Sequence, residues 1–70
     1  MPYRVVDDLP DPVRLHLPLH AQEIYLAAFN NAWDEHAREA DHEVTAHRIA
    51  WAAVKRRYQK IGDDWVPTSR

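Results

Sequence analysis

The chain reads as a mainly α fold: a compact small domain of two long helices plus a short N-terminal helix, with a small two-stranded antiparallel ribbon joining the termini. Three observations predict this. Residues 19–37 and 42–61 repeat apolar side chains at spacings of three and four. All five prolines and the only glycine lie outside those two segments, where helix breakers belong. Two β-prone stretches, YRVV at 3–6 and DWV at 64–66, stand at opposite ends of the chain. At 70 residues, one domain spanning 1–70 is the expectation.

The candidate strands at 3–6 and 64–66 come first, because a two-stranded ribbon is not stable alone and needs a helix to lie on. The next stretch, DLPDPVRLHLP, holds three prolines. Asp11 is placed as an N-cap with Pro12 at the first helical position. Pro18 forces a stop, because the residue before a proline is pushed out of the α region. The result is a short helix over 12–17.

The first long helix is expected over 19–37. Ala21, Tyr25, Ala28, Phe29, Ala32 and His36 share one side, with Ile24 and Trp33 flanking them. Glu23, Asn30 and Asp34 face the other way. A turn is expected within 37–43, since one continuous helix could not fold back to bury its own stripes. Asp41 is the N-cap candidate for the second long helix.

That second helix, 42–61, carries a large-residue stripe of Val44, His47, Trp51, Val54, Tyr58 and Ile61. A smaller-residue face holds Ala46, Ile49, Ala50 and Ala53. Two apolar faces predict a central position in the fold. Gly62 follows as a left-handed C′ residue, and 67–70 form a tail. The expected core is Tyr25, Ala28, Phe29, Ala32, Trp33, His47, Trp51, Val54 and Tyr58.

Composition narrows the chemistry. There is no cysteine, which excludes disulfides, thiolate metal sites and thiol catalysis. The longest apolar runs, IYLAAF and IAWAAV, are far short of the ~20 residues that span a bilayer. The N-terminus lacks the pattern of a secretory signal. The chain is therefore expected to be soluble and cytoplasmic, with no membrane insertion.

Charge is uneven: residues 1–46 hold nine acids against three Lys/Arg, and residues 47–70 hold six Lys/Arg against two acids. Arg48, Lys55, Arg56, Arg57 and Lys60 make a locally basic helix end. It reads as a solvated terminus suited to the helix dipole or as a surface that steers an acidic partner. Ile49, away from the large stripe, is the apolar candidate for an interface.

The histidines invite a metal reading. HEVTAH over 42–47 is not a zincin motif, because its histidines are five apart, not four. Glu43 with His47 and His36 with Glu39 have helical spacings, and ordinary polar pairing is the simpler reading of both. His47 reads as a core histidine holding one hydrogen bond or as a pH switch. His20 reads as a first-turn cap with Glu23 reaching back. Trp33, Trp51 and Trp65 read as core and lid residues or as a stacking surface. No phosphate-binding glycine loop and no nucleophile with an oxyanion hole can be drawn, so catalytic, cofactor and metal residues are all expected to be absent, and no enzyme is expected.

Three motifs in order resemble the ChaB family: His20-Ala21-Gln22-x-Ile24-Tyr25, Ala28-Phe29-Asn30-x-Ala32-Trp33, and Thr45-Ala46-His47-x-x-Ala50-Trp51-Ala52-Ala53-Val54-Lys55. The N-terminal DLP and the terminal DDWVP extend the likeness over nearly the whole chain. The resemblance implies a compact helical domain with a small sheet and a non-enzymatic regulator of cation transport. It also implies a protein partner, a calcium/sodium–proton antiporter. This chain departs from the family pattern at 37–43, where members of the family often carry a longer, highly charged insertion. The alternative from another class is a nucleic-acid-associated accessory protein using the basic end of the last helix. Phosphate contacts there would be weak and salt-sensitive.

Overall fold

The computed structural model describes residues 3–68. A 3₁₀ turn at Val6–Asp8 leads into helix α1, Asp11–His16. Helix α2 spans Leu19–Glu35 and α3 spans His42–Arg57. Strands β1, Tyr58–Ile61, and β2, Asp64–Pro67, complete the chain. The three helices and the small antiparallel sheet agree with the expected fold class.

The sheet's partners differ from the expectation. Residues 3–6 form no strand and the ribbon does not join the termini. Instead β1 and β2 pair as a hairpin, with Tyr58 opposite Pro67, Gln59 opposite Val66, Lys60 opposite Trp65 and Ile61 opposite Asp64. The second long helix accordingly ends at Arg57, four residues before the expected 61. Nothing in YQKI breaks a helix. Tertiary pairing decides it: Tyr58 turns extended, at φ −131° and ψ 152°, and its side chain is buried. A two-residue loop then lets β2 return, placing Trp65 against Trp51 with ring centroids 5.7 Å apart. Gly62 is the first residue of that loop and not a helix C′ cap. Its φ of +62° lies in the left-handed region that favours glycine. The Thr68 N–H donates to the Arg57 carbonyl at 2.8 Å, which satisfies one of the helix-end acceptors.

Helix starts also shift slightly. Pro10, not Asp11, is the N-cap of α1, and Asp11 accepts from Arg14 Nη2 at 2.7 Å. Asp41 does occupy the N-cap of α3, but its side chain makes no capping bond. Helix α2 ends at Glu35, and residues 36–41 make the turn.

The two long helices pack through small residues. Ala21 and Ala32 on α2, and Ala46 and Ala50 on α3, are fully buried. Small side chains let the helix axes approach closely, and Tyr25, Phe29 and Val54 fill the remaining space. The face of α3 that meets α2 draws on both: Ala46 and Ala50 from the smaller-residue face and Val54 from the large stripe are buried, and His47 and Trp51 are half-buried against Tyr25. Val44, Ile49 and Ile61 are exposed. The central helix is α2, not α3. It packs against α3, against the 3₁₀ turn and, through Gln22, against the end of α1. Leu9, Val13 and Leu17 extend the core beneath that junction.

Candidate functional site

The helix pair is threaded by an aromatic file. Trp65 meets Trp51, Trp51 meets Tyr25 edge-on at 5.3 Å, and Tyr25 stacks toward Phe29 at 6.3 Å. Phe29 then touches Tyr3 at 4.8 Å, His47 at 4.6 Å and Trp33 at 5.7 Å, and Trp33 meets His42 at 4.1 Å. Trp51 and Trp65 adjoin, while Trp33 lies apart from them against Phe29 and His42, so the three share no single stacking surface. Ala28, Trp33, His47 and Trp51 are half-buried at the margin of the packing, while Tyr25, Phe29, Ala32, Val54 and Tyr58 are buried.

Two tyrosine–histidine pairs bridge the helices in opposite senses. The Tyr25 hydroxyl, on α2, shares a hydrogen bond with Nδ1 of His47 on α3. The Tyr58 hydroxyl, just past α3, shares one with Nδ1 of His20 on α2 at 3.1 Å. His20 is thus not a helix cap; the α2 N-cap is Pro18, with no side-chain capping bond. Burial pushes the Tyr25 hydroxyl well above the usual tyrosine range, so it stays protonated. Burial also lowers His47 below the ordinary imidazole value, and the nearby Glu43 partly opposes that. Burial thus favours the neutral imidazole at His47 over the charged one.

Other polar residues of α2 are also occupied structurally. Gln22 Nε2 donates to the carbonyls of Leu17, at 2.7 Å, and Arg14, at 3.1 Å, which closes the C-terminal end of α1. Asn30 was placed on the outward side by spacing alone. It is half-buried instead and holds Tyr3 from both sides: the Tyr3 N–H donates to Oδ1 at 3.0 Å and Nδ2 donates to the Tyr3 carbonyl at 2.8 Å. This mimics a strand pairing and holds the first residue of the β-prone segment 3–6, which forms no strand. The signal was present in the motif, where Gln22 and Asn30 recur among the apolar positions.

The histidines near the turn pair locally. His36 Nδ1 donates to Glu39 Oε2 at 2.6 Å, and that carboxylate raises the His36 pKa. His42 Nδ1 donates to the Glu39 carbonyl at 3.1 Å. Among the described residues, no group of three or more His, Asp or Glu converges as a metal site.

The remaining candidates lie on α3. Its alanine-rich sequence favours a helix, and the cations in its last turn suit the dipole. By helical geometry, Arg48, Ala52, Lys55 and Arg56 span roughly 100° opposite the Ala46–Ala50–Val54 face. All four are exposed. Ile49 borders this face and is 37% exposed. Arg57 and Lys60 do not join it. Arg57 ends the helix at a different angle, and Lys60 sits on β1 opposite Trp65. Among the described residues, none of these five cations makes an ion pair; the pairs present are Arg14–Asp11 and His36–Glu39. No described helix is long and apolar enough to cross a membrane.

Comparison with known proteins places this surface in context. The family model ChaB matches residues 9–68. The "Putative cation transport regulator ChaB" of Escherichia coli strain K12 is 50% identical over 70 residues, covering 91% of this chain and 92% of the relative. A viral relative, the "Uncharacterized 10.9 kDa protein in LEF8-FP intergenic region" of Lymantria dispar multicapsid nuclear polyhedrosis virus, is 36% identical over 67 residues. It matches over 96% of this chain and 65% of its own length. The solution NMR structure titled for the putative cation transport regulator ChaB superposes with a TM-score of 0.86 and 47% identity, over 97% of this chain and 100% of that one.

Proposed function

The chain belongs to the ChaB family, and from that premise we propose that it is a non-enzymatic regulatory module that binds a protein partner, a calcium/sodium–proton antiporter, in the cytoplasm. The observation that carries this reading is the division of labour on α3. One face is consumed by packing on α2, and the opposite face presents Arg48, Lys55 and Arg56, with no partner among the described residues, beside the half-covered Ile49. A surface of this kind suits association more than catalysis, since the polar groups that are held in place serve the fold. The name of the E. coli relative supports a regulatory role in cation transport.

The test is affinity capture from native lysate that includes solubilised membranes, with and without nuclease. Ile49→Arg and Arg56→Gln/Arg57→Gln serve as controls. Retention of a cation/proton antiporter after nuclease, and its loss with a surface variant of unchanged melting temperature, is the expected result. Recovery that disappears with nuclease would move the function to nucleic acid.

A further inference from the structure

We propose that the outward face of α3 docks an acidic, amphipathic helix of the partner, laid along the strip Arg48–Ile49–Ala52–Lys55–Arg56. This rests on the reading of the chain as a protein-binding module and specifies what it binds.

The geometry has three components. Ala52 lies in the middle of the exposed face, so a second helix backbone can approach α3 closely there, as α2 does on the other side at Ala46 and Ala50. Ile49 and Arg56 are seven residues apart, as are Arg48 and Lys55, which sets each pair about 10.5 Å apart along the axis and close in angle. The strip therefore repeats at the period at which a helix presents one face. Ala52 lies among the three cations and Ile49 borders them on one side, and that combination matches a partner with a short apolar stripe edged by Asp or Glu.

Charge also decides against the other occupants. A closed two-fold dimer through this face would oppose the same three cations on each copy, which repel. The acidic residues of this chain lie on other surfaces, mainly before residue 46. Pairing them with α3 of a second copy is a head-to-tail contact, which runs on into open chains unless its rotation happens to close. Nucleic acid would use the cations and leave Ile49 and Ala52 without a role. The chain as a whole carries a formal charge of −2, so the attraction of a polyanion is local to this strip.

The protein is small enough for backbone amide NMR of the full chain. The probes are a synthetic helix with a Leu/Ala stripe edged by Glu, the same peptide with Gln for Glu, a short DNA duplex, and vesicles containing anionic lipid. The expected result is chemical-shift change on the Glu peptide confined to α3 around Arg48, Ile49, Ala52, Lys55 and Arg56. Binding should be about tenfold weaker with the Gln peptide or with Lys55→Glu/Arg56→Glu. No shifts at millimolar Glu peptide, shifts centred elsewhere, equal binding of the Gln peptide, or tighter binding of the duplex or the vesicles would each overturn the proposal. The two readings fail separately. An antiporter still captured by the Lys55→Glu/Arg56→Glu variant sinks the docking strip and leaves the regulator reading standing. Peptide binding without any captured antiporter does the reverse.

Discussion

The two long helices use their polar residues in opposite ways. On α2, His20, Gln22, Tyr25 and Asn30 each hold another part of the chain: Tyr58, the end of α1, His47 and Tyr3 respectively. On the outward side of α3, Arg48, Lys55 and Arg56 hold nothing among the described residues. A polar residue inside a shared motif can therefore be structural, and the proposed partner surface draws on charges for which the described fold has no use.

The contrast breaks most severely at the centre of the aromatic file. Phe29→Ala removes a buried ring that touches Tyr3, Tyr25, Trp33 and His47, and is expected to cost about 3–5 kcal/mol. Urea unfolding measures this, and a loss below about 1 kcal/mol would remove α2 from its role as the spine. Asn30→Ala leaves both backbone groups of Tyr3 without their amide partner and is expected to cost about 1–2 kcal/mol. Faster amide exchange at Tyr3, with α3 unaffected, would localise the effect. Gly62→Ala meets no steric obstacle, since nothing lies within 4 Å of an added Cβ. Its cost is the positive φ alone, about 1 kcal/mol, seen as a lowered melting temperature with the hairpin register unchanged.

A smaller effect follows from pH. The His47 pKa is lowered in the fold by burial, so the native state binds fewer protons there than the unfolded chain. Stability from this group is complete above the unfolded imidazole value of about 6.5 and is lost as pH falls through the lower native value. His36 acts in the opposite sense: Glu39 raises it, so its contribution is present below about pH 6.5 and fades as pH rises through its higher native value. It is exposed enough that His47 should dominate. His47→Gln is expected to flatten the acid side of the stability profile in denaturant titrations at stepped pH. An unchanged slope would assign the acid sensitivity elsewhere.

The smallest expected effect on stability is on the outward face. Lys55→Gln/Arg56→Gln should leave the melting temperature unchanged, because those side chains have no partner within the described chain. The same variant should lose captured partner. A large drop in stability would erase the distinction between the two helices.

Much of the fold was legible. The 3.6-residue apolar period located both long helices, and Pro18 set where the second of the three helices begins. Of the five cations singled out by charge, the fold places Arg48, Lys55 and Arg56 on one exposed side of α3 and separates Arg57 and Lys60 from them. Spacing failed at Asn30, which helical angle put outside, because the N-terminal segment folds over that side and covers it. It failed again at His20, whose partner Tyr58 is 38 residues away.

Local signals in the amino-acid sequence thus determined where the two long helices lie, that no described helix is long and apolar enough to cross a membrane, the uneven charge and the motifs of the family. Helix formation depends on near neighbours and on breakers, so each of these can be read over a short window. Only the tertiary structure decided that YQKI leaves the helix to pair with DWVP, that Tyr3 is held by an amide and not by a strand, and which tyrosine meets which histidine. Those outcomes depend on contacts between distant segments. For residues 58–61 the burial of Tyr58 and the packing of Trp65 on Trp51 outweigh one more turn of helix, and no local pattern records that balance.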